Sequence, residues 1–201
     1  RNSLTGTLPP QWSGLASVGT IELERNSLRG TLPPQWSALR SISELDMDSN
    51  SFTGTLPPQW SALTSIERIF LWGNSLRGTL PVQWSALREL ERVWLNDNRL
   101  GGTLPPQWST LSSLKRMRME ENSLTGALPP QWSTLSDIDR MHLSGNDFTG
   151  TLPPEWSTIN SALDNVFPAT TAANPSDSSG EDIWRWTGGL AVTVALAILI
   201  L

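Results

Sequence analysis

Three side chains that could form a nucleophilic triad lie close together in the sequence, namely Asp139, His142 and Ser144. On a single strand, residues 142 and 144 would face the same side about 7 Å apart. That separation is too large for the serine hydroxyl to donate its proton directly to the imidazole. The residues around Ser144 offer neither a strained strand-to-helix turn nor the donors of an oxyanion hole. We therefore expect no catalytic residue, and a protein that is not an enzyme.

The segment that begins at Asp46 and Asp48 starts like a calcium-binding loop, but the match fails. A calcium loop has glycine at its sixth position and glutamate at its twelfth, whereas this chain has Ser51 and Pro57 there. The chain contains no cysteine and one histidine, which excludes cysteine-ligated metals and imidazole clusters. No glycine-rich phosphate loop follows any predicted strand. We expect no metal and no cofactor.

The charge of the chain argues against nucleic acid as a partner. Its formal net charge is −5 at pH 7, whereas proteins that bind nucleic acid by neutralising phosphates need clustered positive charge.

The sequence repeats every 24 residues without an insertion. Asparagine marks one repeat position, at Asn2, Asn26, Asn50, Asn74, Asn98, Asn122 and Asn146. Tryptophan marks another, at Trp12, Trp36, Trp60, Trp84, Trp108, Trp132 and Trp156. A fixed period of this size indicates a solenoid, in which each coil buries its apolar side against its neighbours.

Within a repeat, the apolar positions predict a short strand followed by a turn. In the second repeat, Ile21 and Leu23 alternate with polar residues, which places both on one face of a strand. Asn26 then ends the strand, where its amide can hydrogen-bond backbone groups of adjacent coils. Gly30 permits a turn, and the prolines at 33–34 exclude regular helix and favour an extended segment.

This L-x-x-L-x-L-x-x-N-x-L pattern is the signature of the leucine-rich repeat, and its G-x-L-P-x-x-W continuation resembles the plant-type class. The specific sequence G-T-L-P-P-Q-W-S resembles repeats in surface antigens and proteophosphoglycans of kinetoplastid protozoa. The resemblance covers residues 2 to about 160. It implies a leucine-rich-repeat solenoid with a parallel β-sheet on the concave face and irregular, 3-10 and extended segments on the convex face.

We divide the chain into a solenoid of about seven repeats (1–163), a polar stalk (164–180) and a C-terminal segment (181–201). The chain opens inside a repeat, so we expect further coils and a signal peptide upstream. The period fails after Trp156, where Asn165 and Phe167 stand at the expected strand positions, so we expect a frayed or capping last coil.

Three columns of residues should point outward from the concave sheet and be free to meet a partner. The first runs Thr20, Glu44, Arg68, Arg92, Arg116, Arg140. The second runs Glu22, Asp46, Phe70, Trp94, Arg118, His142. The third runs Glu24, Asp48, Trp72, Asn96, Glu120, Ser144.

The columns predict an acidic end, an aromatic middle and an arginine-rich end. We expect exposed aromatics beside arginine to bind a partner, and we assign this role to Phe70, Trp72, Trp94, Arg92, Arg116, Arg118 and Arg140. Two alternatives remain open. The aromatic rings could simply stack across strands, and the arginines could be neutralised by Glu67, Glu91 and Asp139. The seven repeated tryptophans are interpreted as scaffold.

The C-terminal segment is arranged like a signal for glycosylphosphatidylinositol attachment. Small residues at 178–180 precede a nine-residue spacer at 181–189 and an apolar run at 190–201, an order typical of such signals. We predict lipid attachment at Ser178, with Asp177 as the alternative. A short tail-anchor helix is the competing interpretation, although twelve residues is less than a membrane span requires.

Together these features predict a non-catalytic, lipid-anchored protein of the cell surface that binds a protein or glycan partner through its concave face. The alternative is a structural component of a surface coat without a specific ligand.

Overall fold

The computed structural model describes residues 2–164, and within them each repeat forms one coil of a solenoid. Six three-residue strands pair in parallel, in chain order, to form one sheet. These strands are Thr20–Glu22, Glu44–Asp46, Arg68–Phe70, Arg92–Trp94, Arg116–Arg118 and Arg140–His142. The predicted fold class, a leucine-rich-repeat solenoid, is confirmed. Of the predicted stalk, only the first residue, Asp164, is described, and the predicted C-terminal segment lies outside the described residues.

The middle residue of each strand in this sheet points into the core. Ile21 pairs with Leu45, and the register continues through Ile69 and Val93 to the last strand. These side chains are fully or almost fully buried. Since side chains alternate across a strand, the first and third residues of each strand must face outward.

The described part of the chain contains eight 3-10 helices, six of them between strands and the last two after the final strand. They are Pro10–Gly14, Pro34–Ala38, Pro58–Ala62, Val82–Ala86, Pro106–Thr110, Pro130–Thr134, Pro154–Thr158 and Asn160–Ala162. The predicted extended segment at 33–34 is half right. Pro33 is extended (φ −70°, ψ 118°), but Pro34 is the first residue of a 3-10 helix, where a proline is tolerated because its missing N–H would have no partner.

The repeated tryptophans form a stacked column inside the convex side. Six of the seven are fully buried, and the five measured pairs of neighbouring rings have centroids 5.8–6.5 Å apart and nearly parallel planes. The indole N–H of each of the six fully buried tryptophans donates to a proline carbonyl of the preceding coil, as Trp84 does to Pro57 at 3.0 Å. The scaffold role predicted for these residues is confirmed.

The spacing of these rings also sets the curvature of the solenoid. Neighbouring strands in a sheet lie about 4.8 Å apart, whereas the tryptophan rings from Trp60 to Trp156 are 6.1–6.5 Å apart. The coils therefore fan out on the tryptophan side, and the six-stranded sheet is the concave one.

The repeated asparagines tie adjacent coils together, as predicted. The Asn50 amide donates to the carbonyl of Leu23 in the preceding coil at 2.9 Å and to two carbonyls of its own coil. Its Oδ1 accepts the N–H of Leu28 at 3.1 Å. Backbone groups that would otherwise be buried without partners are thereby hydrogen-bonded.

Two further sheets on the flank of the solenoid were not predicted. One contains Thr5–Thr7, Ser27–Thr31 and Ser51–Thr53, and the other contains Arg77–Thr79, Arg99–Thr103, Ser123–Gly126 and Asp147–Phe148. Gly30, expected in a turn, lies within one of these strands with a φ of +87°. Only a residue without a side chain adopts that conformation readily.

The flanking glycines pack against the threonine methyl of the preceding coil. A Cβ added to Gly102 would lie 2.7 Å from Thr79 Cγ2, whereas one added to Gly150 would meet nothing within 4 Å. The difference arises because Ala127 stands where the other coils have threonine.

This contrast predicts unequal costs for the same substitution. Gly102→Ala should lower the free energy of unfolding by about 2–4 kcal/mol, since it combines an unfavourable positive φ with a clash against a stiff β-branched side chain. Gly150→Ala should cost only about 1–2 kcal/mol, because it meets the backbone penalty alone. Urea unfolding followed by circular dichroism measures both, and equal losses would contradict the packing described here.

The last coil ends earlier than the repeat would dictate. Leu163 forms a single parallel bridge with Met141, 22 residues apart instead of 24. The expected breakdown of the repeat is therefore visible, while Asn165 and Phe167 lie outside the described residues. No helix within residues 2–164 is long and apolar enough to cross a membrane.

Candidate binding surface on the concave sheet

The outward-facing positions of the concave sheet align as the sequence predicted. Arg92 lies between Arg68 and Arg116 in the first column, and Trp94 lies between Phe70 and Arg118 in the second. Charge and aromatic character therefore change stepwise along the sheet, from acidic to aromatic to basic.

Phe70 is a correction to the predicted aromatic surface. It was expected to be exposed, but only 8% of its surface is accessible. Its ring packs against Trp94 with centroids 4.4 Å apart and planes tilted by 38°, so the cross-strand packing alternative holds for this pair. Trp72 and Trp94 are half-buried and form the accessible part of the aromatic surface.

Arg118 is held over the aromatic surface rather than projecting freely. Its guanidinium carbon lies 5.6 Å from the Trp94 ring centroid, a cation–π geometry. Its Nε donates to the Glu120 carboxylate at 2.7 Å. The arrangement fixes a cation on an indole face in the middle of the sheet.

Ion pairs neutralise only part of the arginine ladder, which consists of Arg68, Arg92, Arg116, Arg118 and Arg140. Glu91, next to Arg92 in sequence, pairs across strands with Lys115 at 2.5 Å, and this hydrogen bond lowers the pKa of Glu91. Asp139, next to Arg140 in sequence, pairs across strands with Arg116 at 3.3 Å.

Arg68 contacts two carboxylates, that of its sequence neighbour Glu67 and, more closely, that of Glu44 on the adjacent strand. It lies 3.6 Å from Glu67 and 2.6 Å from Glu44, and the hydrogen bond to Glu44 raises the pKa of Arg68. Among residues 2–164, Arg92 and Arg140 make no ion pair. These two cations are the ones available to an anionic group of a partner.

Burial in the third column also differs from expectation. Asp48 and Asn96, assigned to an outward column, are only 6% and 3% exposed. Burial raises the pKa of Asp48, and interactions with Ser49, Arg25 and Trp72 lower it in part. These positions follow the strand, where the chain turns back toward the core.

Asp46 is the most perturbed carboxyl of the surface. Burial raises its pKa from 3.8 to about 6, and the negative charges of Asp48, Glu24 and Glu44 add to the rise. A hydrogen bond from the Asp48 N–H opposes it. The ionised form of Asp46 is therefore unfavourable in the folded protein.

Replacing Asp46 with asparagine should stabilise the protein at neutral pH. The pKa of a carboxyl raised by folding means that its ionised form destabilises the native state above about pH 6, and this penalty disappears as pH falls toward 3.8. Allowing for its partial exposure, Asp46→Asn should gain about 1–2 kcal/mol at pH 7.5 and almost nothing at pH 4. Urea unfolding at both pH values measures the gain. Asp137→Asn, at an exposed position, serves as the control, and a gain that persists at pH 4 would contradict the assignment.

Buried polar atoms without a hydrogen-bond partner within the described part of the chain cluster on this same surface. They are Asp48 Oδ1, Arg68 Nε, Arg92 Nε, Trp94 Nε1, Asn96 Oδ1 and Glu120 Oε2. Buried polar groups in folded proteins nearly always have partners. All six belong to the three outward columns of the concave sheet, between residues 48 and 120.

The residues of the hypothetical triad do not come together. His142 Nδ1 contacts the Asp164 carboxylate, and Asp139 pairs with Arg116. Within residues 2–164, no group of three or more histidine, aspartate or glutamate side chains could hold a metal ion.

A second concavity, on the flank, was missed by the sequence interpretation. It has a volume of about 660 Å³ and is lined by threonine, proline and glutamine side chains of three neighbouring coils. Val82, which is 39% exposed, lies in it where most coils carry a second proline. This departure from the repeat was the sequence signal that could have located the concavity.

Comparisons with known proteins agree with this architecture. The family model described as Leucine Rich Repeat matches residues 41–63, 89–111 and 138–159. Each segment contains one strand of the concave sheet and the 3-10 helix that follows it. The chain belongs to the leucine-rich-repeat proteins, and the matching family model indicates no enzymatic family.

Solved structures of plant-type ectodomains resemble the chain. The plant peptide hormone receptor RGFR1, solved in complex with RGF2, has a TM-score of 0.79 and 31% identity, covering 81% of this chain and 26% of the receptor. The ectodomain of the Arabidopsis thaliana receptor kinase GASSHO1/SCHENGEN3, in complex with CASPARIAN STRIP INTEGRITY FACTOR 2, has a TM-score of 0.78 and 27% identity, covering 81% and 20%.

A shorter structure gives a more even overlap. A chain of the BIR3–SERK2 complex from Arabidopsis thaliana is 31% identical over 65% of this chain and 69% of its own length, with a TM-score of 0.58. This chain spans about a quarter or less of the two larger receptors. No curated protein sequence matches the chain.

Proposed function

We propose that the protein is a non-catalytic recognition module that binds a protein partner through its concave sheet. The observation that carries this proposal is the cluster of six buried polar atoms without partners on that sheet. A bound partner would supply the missing hydrogen bonds, because burying such groups without partners is unfavourable. Similar ectodomains solved in complex with peptide ligands support protein binding as the role of this fold.

The contact residues of the proposal fall into an aromatic and a basic group. Trp72 and Trp94 would anchor the partner, with Phe70 supporting Trp94 from beneath. Arg92 and Arg140 would meet anionic groups directly, since neither is engaged in an ion pair in the described chain. Arg116 and Arg118 would contribute while keeping their contacts to Asp139 and Glu120.

The location of the protein is also part of the proposal. We infer that the protein is located at the outer surface of the cell. A similar structure is described as the ectodomain of a membrane receptor kinase, and the repeat sequence resembles kinetoplastid surface antigens. A lipid anchor at Ser178, or at Asp177, would hold it there. Release from cells by a phosphatidylinositol-specific phospholipase would support the lipid anchor, and retention would favour the tail-anchor helix.

Adhesion of protein-coated beads to cells tests the binding role. The double variant Trp72→Ser/Trp94→Ser should lose most adhesion, since aromatic anchors typically dominate binding energy. The matched control is Leu4→Ser/Leu15→Ser, which removes two exposed apolar side chains outside the concave sheet. Unchanged adhesion of the tryptophan variant, with circular dichroism showing intact folding, would overturn the proposal.

A second candidate, a structural coat without a specific ligand, is favoured by the near-identity of the repeats. It predicts that neither pair of substitutions alters adhesion.

If the tryptophan variant does lose adhesion, protease or glycosidase treatment of the target cells distinguishes a protein partner from a glycan.

A further inference from the structure

The acidic end of the concave sheet holds more negative charge than its neighbours balance. This acidic zone consists of Glu22, Glu24, Glu44, Asp46 and Asp48. Glu44 pairs with Arg68, and Arg25 lies close enough to Asp48 to lower its pKa. The other carboxyls form no ion pair within residues 2–164.

The carboxyls of the zone are brought together by the pairing of two strands. Glu22 lies opposite Asp46, and Thr20 lies opposite Glu44. Since neighbouring strands are about 4.8 Å apart, the carboxyls repel one another. The charges of Glu24, Glu44 and Asp48 raise the pKa of Asp46, which is the expected sign of that repulsion.

Asp48 supplies an independent observation that points to a ligand. The residue is only 6% exposed, and its Oδ1 atom accepts no hydrogen bond from any described residue. A buried carboxylate oxygen without a partner is strongly unfavourable. Arg25 offsets part of the Asp48 charge, but no described donor reaches the Oδ1 atom.

An aromatic side chain borders the zone. Trp72 follows Asp48 in the same column, and its carbonyl accepts the N–H of Ser49 at 2.9 Å. The Trp72 side chain also interacts with the Asp48 carboxylate. The molecule already holds one cation on an indole nearby, since Arg118 lies over Trp94. Carboxylates beside an aromatic side chain suit a lysine or arginine side chain.

We propose that the acidic zone is a subsite for a lysine or arginine side chain of the protein partner, seated between Asp46, Asp48 and the indole of Trp72. The inference rests on the proposed binding function and adds the charge of the partner: a basic residue must align with this end of the solenoid. Glu22 and Glu24, which are more exposed, attract the cation, and Asp48 supplies the buried charge.

A fluorescently labelled tetra-arginine peptide tests the subsite by fluorescence anisotropy at low ionic strength. The wild-type protein should bind it, and a tetra-citrulline peptide, which is neutral and nearly isosteric, should not bind. Asp46→Asn/Asp48→Asn should weaken arginine-peptide binding about tenfold. This variant should fold, because burial already disfavours the ionised form of both residues.

The control variant carries the same change in net charge away from the concave sheet. Glu89→Gln/Asp137→Asn alters two exposed carboxyls and should keep wild-type affinity. Equal affinity of the acidic-zone variant and the wild type would overturn the subsite, as would equal loss in the control. Because the assay contains no cellular partner, its failure leaves the adhesion result for Trp72 and Trp94 standing, and the two proposals fail separately.

Discussion

Trp108→Ala should destabilise the solenoid by about 3–5 kcal/mol, within the range for truncating a large buried aromatic. Trp108 is fully buried and stacks on Trp84 and Trp132 at 6.2 and 6.5 Å. Its indole N–H donates to the Pro81 carbonyl at 2.9 Å. The substitution therefore removes two stacking contacts and one hydrogen bond, and leaves a cavity between three coils.

Trp12→Ala provides the matched control for this loss. Trp12 occupies the same repeat position but is only partly buried and has one stacking neighbour in the described chain, Trp36. We expect it to cost less than half as much. Guanidinium unfolding should be followed by circular dichroism, since the substitutions change tryptophan fluorescence directly. Equal losses at the two positions would show that the stacked column does not carry the stability assigned to it.

Asn98→Ala should lower the free energy of unfolding by about 2–5 kcal/mol, because buried backbone groups would lose their partners. The Asn98 amide donates to the carbonyls of Leu71, Leu95 and Asn96 at 3.0–3.1 Å. Its Oδ1 accepts the N–H of Leu76 at 3.0 Å.

Asn26→Ala is the control for the asparagine column. Asn26 makes two donor bonds within its own coil and accepts one bond, from Leu4, at an exposed position. Water can replace these partners, so we expect a loss of about 1 kcal/mol. A loss at Asn98 no larger than that at Asn26 would mean that the amide does not hold the coils together. Asn98→Asp keeps the acceptor but points a carboxylate oxygen at three backbone carbonyls, so it should lose at least as much stability as alanine.

The scaffold could be predicted from the sequence because the same residue recurs at the same place in every coil. A period of 24 makes Trp108 and Asn98 stack on their equivalents, whatever the surrounding side chains do. The alternation of apolar residues around Ile21 then locates the concave strand. These inferences need only spacing and residue type.

The flanking sheets could not be predicted because their strands lack an alternating apolar pattern. Ser27–Thr31 contains one buried leucine, and Gly30 in its middle is normally a sign of a turn. The strands exist because parallel pairing between coils supplies their hydrogen bonds. Most repeats contain a glycine followed by threonine, and this recurring pair is the sequence feature that marks the flanking strands.

Ion pairs across strands were expected for Glu67, Glu91 and Asp139, but spacing alone could not predict which cation each carboxylate would contact. Lys115 lies 24 residues after Glu91, so the two occupy the same repeat position in adjacent coils and pair. Long side chains also reach sideways, as Arg116 does to Asp139. Phe70 is buried for a related reason, since Trp94 in the next strand packs against it.

The central claim is that the concave sheet contacts the partner. It is tested most directly by removing two positive charges from the concave sheet in one variant and from a flanking sheet in another. Arg92→Gln/Arg140→Gln removes two cations of the concave sheet, and Arg77→Gln/Arg99→Gln removes two exposed cations of a flanking sheet. Both variants have the same net charge, so long-range electrostatics change equally. In the bead adhesion assay, we expect the concave variant to fall to less than about a third of wild type, because these arginines would lose direct contacts to the partner. The flanking variant should adhere like wild type. Equal adhesion of the two variants would contradict the assignment of the concave sheet as the binding surface.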